Sequence, residues 1–277
     1  MTDSANYSSM RRLLGPLGFN ILAKTNIYKT LRDPGWTLSR LGKRNKKSLL
    51  NYKNVHQGKT GFIVGTGPSL LDMNLVGLKS QITIGLNRLY MGIDRIGFQP
   101  TYMVCVNELL LSENSSDFSQ LKMPLFANWE SRAKLRNSDH CAFFRTLAGT
   151  HFHKNLTQNI SVGSTVTYSA LQLAYWMGFK RIILVGIDHN YQLETGETKL
   201  APHTKVERLV NDKNHFHPDY FGKGSVWQLP DLETSEAAYR EAKIAFESSG
   251  REILDATRNG KLDVFKKVKL SEVLKEE

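Results

Sequence analysis

Three groups of residues in this chain have the types and spacing to do chemistry. The first is in "GFIVGTGPSL", where Gly65, Thr66 and Gly67 follow a hydrophobic run and are followed by Pro68 and Ser69. A glycine turn between strand and helix lets backbone N–H groups approach an anion. Pro68 in the first helical turn forfeits no hydrogen bond, and Ser69 adds a hydroxyl donor or a cap. The turn is not a P-loop, because no Gly-Lys-Ser/Thr follows at the required distance. It also departs from the dinucleotide fingerprint: Leu70 takes the third glycine position, and "LNRLY" with Asn87 stands where a ribose-binding acid belongs. Hydride transfer is therefore not expected. The turn reads as an anion or nucleotide loop, with a purely structural tight turn as the alternative.

The second group repeats this logic. In "NISVGSTVTYSALQLAYWMGFKRIILVGID", Gly163, Ser164 and Thr165 open a helical pattern, and the strand that follows delivers Asp188. N–H groups and hydroxyls at such an opening can face a phosphate or carboxylate. The third group is "NHFHPDYFGKGS", which holds His215, His217 and Tyr220. Histidine as a residue type suits proton acceptance from a hydroxyl at neutral pH. The two histidines could equally be surface residues or a metal pair. A second "HFH" supplies His151 and His153, but neither pair has the i, i+4 spacing or a nearby third ligand of a metal site.

The elements that must position these residues are legible as short β-branched runs: "GFIVG", "QITIGLN", "YMVCVN", "MPLFANW", "CAFFRTL", "RIILVGID" and "REILDA". Helical patterns lie between several of them, most clearly "STVTYSALQLAYWMGF" and "ETSEAAYREAKIAFESSG". The alternation predicts an α/β fold, a mostly parallel Rossmann-like sheet with helices on both faces. Ligands of such sheets sit outside the carboxyl ends of the strands, which here finish in the glycine turn, Asn87, Asn107, Asn128 and Asp188. Asn and Asp also favour turns for local reasons. Residues 58–277 are expected to form this single domain, with 192–227, long, polar and punctuated by Gly and Pro, as a substrate-ordered lid.

Basic residues exceed acidic ones by 37 to 26, and residues 1–59 hold twelve of the basic residues but only Asp3 and Asp33. Charge confined to one arm suggests an anionic surface as its partner, not nucleic acid for the whole protein. Residues 1–57 thus read as a basic leader and linker, either packed on the domain or docked on anionic lipid. Leu13 to Ala23 is too short and too rich in Gly, Pro and Asn to span a bilayer. Cys105 and Cys141 lack metal-ligand spacing. Together these features predict a reduced, cytoplasmic protein, peripheral at most on the inner membrane face.

The ordered blocks "VGTGPSL", "GLNRLY", "VNE", "VGSTVTYSALQLAYWMGFKRIILVGIDHNY" and "ILDATRNGKLDVF" resemble the 6-hydroxymethylpterin diphosphokinase MptE-like family over about residues 58–266. They are similar, more distantly, to bacterial CMP-sialic acid sialyltransferases and flagellin-glycosylating motility factors. The sialyltransferase resemblance implies that Gly65 to Ser69, Asn87 and Asn107 contact the CMP part of a donor. It also implies that Ser164 and Thr165 face the sugar carboxylate or the phosphate. Tyr191 falls where a tyrosine assisting the departing phosphate belongs, and a loop histidine, His215 or His217, takes the acceptor's proton. No tyrosine occurs between Leu193 and Asp219, where the resemblance implies a second one, and the histidine block leaves His215, His217 and Tyr220 as candidates.

Three functions are compatible with these residues. The first is inverting, metal-independent transfer of a CMP-activated acidic sugar to a glycan acceptor, with no cofactor; the absence of an Asp-x-Asp motif suits it. The second, implied by the MptE-like name, is diphosphate transfer from ATP to a hydroxymethylated pterin. That reaction calls for Mg²⁺ held by carboxylates, for which Glu108, Asp188 and Asp219 are the candidates. The third is non-catalytic nucleotide binding within a glycan assembly complex.

Overall fold

The computed structural model describes residues 34–135, 139–193, 200–207, 212–221 and 224–276. Most of the expected leader, residues 1–33, and parts of the expected lid lie outside the described residues. The chain divides into two compact units, Met1–Asn51 and Tyr52–Glu277.

In the first unit, α1 (Pro34–Leu38) turns directly into α2 (Arg40–Asn51). Ser39 makes the corner: its hydroxyl donates to the carbonyl of Gly35 and accepts from the N–H of Gly42. A Cβ at position 42 would stand 2.3 Å from the Trp36 carbonyl oxygen, so this close approach requires glycine.

The second unit is built on an eight-stranded sheet in the order β12-β11-β8-β1-β2-β3-β4-β5, every pairing parallel. The seven predicted runs supply β1 (Thr60–Val64), β2 (Thr83–Leu86), β3 (Tyr102–Cys105), β4 (Leu125–Asn128), β5 (Cys141–Phe144), β8 (Arg181–Val185) and β11 (Glu252–Asp255), and Lys266–Lys267 adds β12. Two small pairs stand apart, β6 (Thr146–Leu147) with β7 (Ile160–Ser161) and β9 (Lys205–Glu207) with β10 (Val226–Gln228). The central strands are buried along their whole length, which explains their continuous apolar runs where a half-exposed sheet would alternate.

Two long helices fix the site. α6 (Val166–Trp176) crosses β1, β2 and β3, and α7 (Leu232–Glu247) packs on α6 and β11. Inside α6, the fully buried Gln172 accepts from the N–H groups of His153 and Ser161 and donates to the carbonyl of Ser161. This clamp ties the approach to the second glycine turn onto the helix that the turn opens.

After β1 the chain fills the sheet to one side through β5, then returns to place β8 on the other side of β1. The carboxyl ends of β1 and β8 therefore flank the switch point, where a parallel sheet leaves a crevice.

Candidate functional site

The crevice opens at that switch point and has two connected parts, of about 100 and 450 Å³. Asn87, Ser164, Thr165, Tyr191 and His215 line both. The combined space falls in the range of small-molecule sites.

On the β1 side, the glycine turn is closed by the protein's own carboxylate. Asp188, delivered by β8, accepts from the N–H of Ser69 at 3.1 Å and from its hydroxyl at 2.7 Å. The N–H of Gly67 donates to the Gly186 carbonyl. A Cβ on Gly67 would fall 1.7 Å from Asp188 Oδ2, so glycine is required here by the β8 loop. Burial raises the Asp188 pKa; its bonds from Ser69 oppose the rise and nearby Asp255 adds to it. Pro68–Asp72 winds as a 3₁₀ turn with no side-chain cap. Gly65, Thr66 and Gly67 line the crevice, while Pro68 and Ser69 sit behind them.

The second turn is built differently. Gly163 and Ser164 both have positive φ, 52° and 56°, and a Cβ on Gly163 would meet Tyr168 and Ala238. Thr165 caps α6 by accepting from the N–H of Thr167 at 3.3 Å, and its hydroxyl lies 3.3 Å from that of Tyr239. Ser164 Oγ is 3.1 Å from His203 Nε2, which also approaches Asp231 at 3.4 Å. Both contacts use the same nitrogen, so these three residues do not form a nucleophilic relay. Ser164 and Thr165 face the crevice; Gly163 shapes the turn behind them.

Between the turns stands a carboxylate–histidine pair. His215 Nδ1 is 2.6 Å from Asp212 Oδ2, and the Asp212 side chain is 1% exposed. The other Asp212 oxygen accepts from the N–H of Asn214. In the neutral imidazole this bond places the proton on Nδ1 and the lone pair on Nε2, the arrangement of an oriented general base. The ring of Tyr220 stacks on His215 at 3.8 Å with a 3° interplanar angle.

Within the expected lid, the stretch 212–221 is docked. Phe216 is buried beneath Gly92, its N–H donates to the Thr66 carbonyl, and Arg95 and Arg88 hold the carbonyls of Phe216 and Tyr220. Asn214 exchanges two hydrogen bonds with the backbone of Gln192, fixing the chain just after Tyr191.

The sequence candidates separate on this geometry. His215 faces the crevice; His217 does not line it and accepts from the N–H of Asp219. The Tyr220 hydroxyl is buried beside Thr66 and Asn87 without a well-formed hydrogen bond, so this tyrosine offers its ring to His215 and not its hydroxyl to a ligand. Tyr191 is 38% exposed as a residue, while burial of its hydroxyl end, with Tyr239, Asp188 and Asp212 nearby, raises its pKa and keeps it a proton donor. Asn87, at φ 50°, reaches both parts of the crevice. Asn107 lines the larger part while its Oδ1 caps α4 (Glu108–Glu113). Asn128 does not reach it, because β4 lies two strands beyond β2. Sequence reasoning missed Asp212, Tyr239 and His203.

The three carboxylates considered for Mg²⁺ do not converge. Glu108 lines the larger part, Asp188 is engaged by Ser69 in the smaller, and Asp219 is exposed outside both. No group of three metal-ligating side chains occurs among the described residues. His151 and His153 pack edge to face at 4.7 Å, and burial with His151 nearby lowers His153 to about 4.

A family model described as 6-hydroxymethylpterin diphosphokinase MptE-like matches residues 37–194. That span holds both turns, Asp188 and Tyr191, and stops short of Asp212 and His215. No curated protein matches the chain. Among solved structures, the Maf glycosyltransferase from Magnetospirillum magneticum AMB-1 is similar with a TM-score of 0.50 at 15% identity. The likeness covers 83% of this chain and 39% of that one, and it supports the α/β fold.

Proposed function

This chain belongs to the 6-hydroxymethylpterin diphosphokinase MptE-like family, and we propose that it is a transferase moving a CMP-activated acidic sugar onto a glycan hydroxyl, with inversion and without a protein-held metal. The observation that carries the reading is the Asp212–His215 pair, set in a crevice lined by neutral donors. His215 Nε2 takes the acceptor hydroxyl's proton as the oxygen attacks the anomeric carbon. The bond from that carbon to the phosphate oxygen breaks, and CMP leaves with the electron pair. Tyr191 donates a hydrogen bond to the departing phosphate, while Ser164, Thr165 and the N-terminus of α6 receive the donor's negative charge.

Charge favours this donor over a triphosphate. Among the described residues, the side chains lining the crevice include one Lys or Arg, Lys205, against Glu108 and Asp188. A single phosphodiester and a sugar carboxylate suit hydroxyls and N–H groups, whereas a triphosphate concentrates more charge than the described lining offsets.

The test is release of CMP from CMP-activated acidic sugars in the presence of a chelator. Turnover by the wild type that vanishes in His215→Asn supports the reading; turnover unchanged in that variant sinks it. The family description motivates a second reading, diphosphate transfer from ATP to hydroxymethyl-dihydropterin, with His215 deprotonating the pterin hydroxyl. AMP formed only when pterin, ATP and Mg²⁺ are all present would establish that reaction instead.

A further inference from the structure

We propose that the solvent-facing side of α2 docks on an anionic lipid bilayer. Arg40, Lys43, Arg44 and Lys47 follow the three- and four-residue spacing of one helix side and are all exposed, while Gly42, Asn45 and Leu49 on the opposite side are buried. Arg40 with Arg44, and Lys43 with Lys47, are like-charge i, i+4 pairs, which oppose helix formation in water. No acidic residue occurs in the sequence between Asp33 and Asp72, so the segment's own charge is wholly positive. A surface of anionic headgroups turns this self-repulsion into attraction.

Phosphate could also come from nucleic acid, but exposed apolar side chains favour lipid. Leu41 and Leu50, which flank the cationic side of α2, are 49% and 51% exposed, and Leu38 at the end of α1 is 61% exposed. A bilayer interface accepts leucine side chains among its headgroups, and a nucleic-acid backbone leaves them in water. No helix among the described residues is long and apolar enough to cross a membrane, so the contact proposed is an interfacial one, independent of the transfer reaction.

The experiment is co-sedimentation of the full chain with vesicles of phosphatidylcholine alone and of phosphatidylcholine with roughly one-third phosphatidylglycerol. Binding is expected only to the anionic vesicles and is expected to be lost at about 0.5 M NaCl, where screening is strong. Lys43→Gln with Lys47→Gln should weaken partitioning by roughly 30-fold, about fivefold per charge. Leu41→Ser with Leu50→Ser should weaken it as well; the lysine variant should unfold no lower than the wild type, since it removes a like-charge pair, and the leucine variant close to it, since its changed side chains are exposed. No binding to anionic vesicles, or wild-type partitioning of the lysine variant, overturns the proposal. Wild-type partitioning of the leucine variant, combined with a lysine-dependent gel shift of mixed-sequence RNA, would reassign the surface to nucleic acid.

Discussion

The two glycine turns of the crevice share one sequence logic and reach opposite results. At Gly65–Ser69 the β8 loop brings a carboxylate into the turn, and Asp188 takes both the N–H and the hydroxyl of Ser69. At Gly163–Thr165 no carboxylate among the described residues bonds to the turn; a true α-helix begins, and the side chains of Ser164 and Thr165 line the cavity. Glycine followed by a hydroxyl residue therefore marks a backbone able to receive an anion, and the topology decides whether that anion is the protein's own. In the proposed reaction the open turn, which shares the crevice with His215, is the side that receives the donor's charge.

The comparison can be broken at several points, beginning with the largest expected effect. Because His215 alone of the two loop histidines faces the cavity, His215→Asn should lower turnover by about 10²- to 10⁴-fold without weakening nucleotide binding. His217→Asn should stay near wild type in the same assay, and equal losses in the two variants would remove the geometric distinction between them. Next in size is Gly67→Ala, which forces a Cβ against Asp188 Oδ2. It should destabilise by about 1–3 kcal/mol in chemical denaturation, the usual range for overpacking, and combination with Asp188→Gly should restore much of the loss. At the open turn, Thr165→Ala should cost about 1 kcal/mol through the lost cap and should also weaken nucleotide binding, whereas Ser69→Ala should affect stability alone.

The smallest effect concerns pH. The folded pKa of Asp188 is raised above 3.8 by burial, so the protonated form is favoured on folding. The stability this contributes is full below the unfolded value and is lost as pH rises through the folded one. Asp188→Asn keeps the shape without the charge, so its stability relative to wild type should improve from pH 3 towards pH 7. A constant difference across that range would show that Asp188 ionises in the native state as easily as in the unfolded chain.

The seven short apolar runs were sufficient to read the sheet, because parallel strands buried on both faces need continuous β-branched and aromatic sequence. β7 and β12 are two residues each and carry no such signal, and β6, also two residues, falls at the end of the run that supplies β5. The glycine turns were also legible, but the reason for Gly67 was not, since Asp188 lies 121 positions along the chain and meets it only through the β1–β8 pairing. Asp212 was missed because "VNDKNHF" reads as any polar loop until the chain folds back to set the carboxylate on His215 Nδ1. Tyr239 was hidden for a related reason: its hydroxyl approaches Thr165 only because α7 packs on α6. The strand-end asparagines show the reverse error, in which one local signal at Asn87, Asn107 and Asn128 ignored how far β4 stands from the switch point.

The central claim, a crevice suited to a nucleoside monophosphate donor without a metal held by the protein, is tested most directly by thermal shift. CMP, CDP, AMP and ATP would each be titrated with Mg²⁺ and with a chelator. A ligand at one hundred times its dissociation constant stabilises the folded state by about 2.7 kcal/mol. The account predicts a rise in unfolding temperature with CMP that is the same under both conditions and is reduced in Thr165→Ala but not in Ser69→Ala. A response confined to ATP with Mg²⁺ would contradict it.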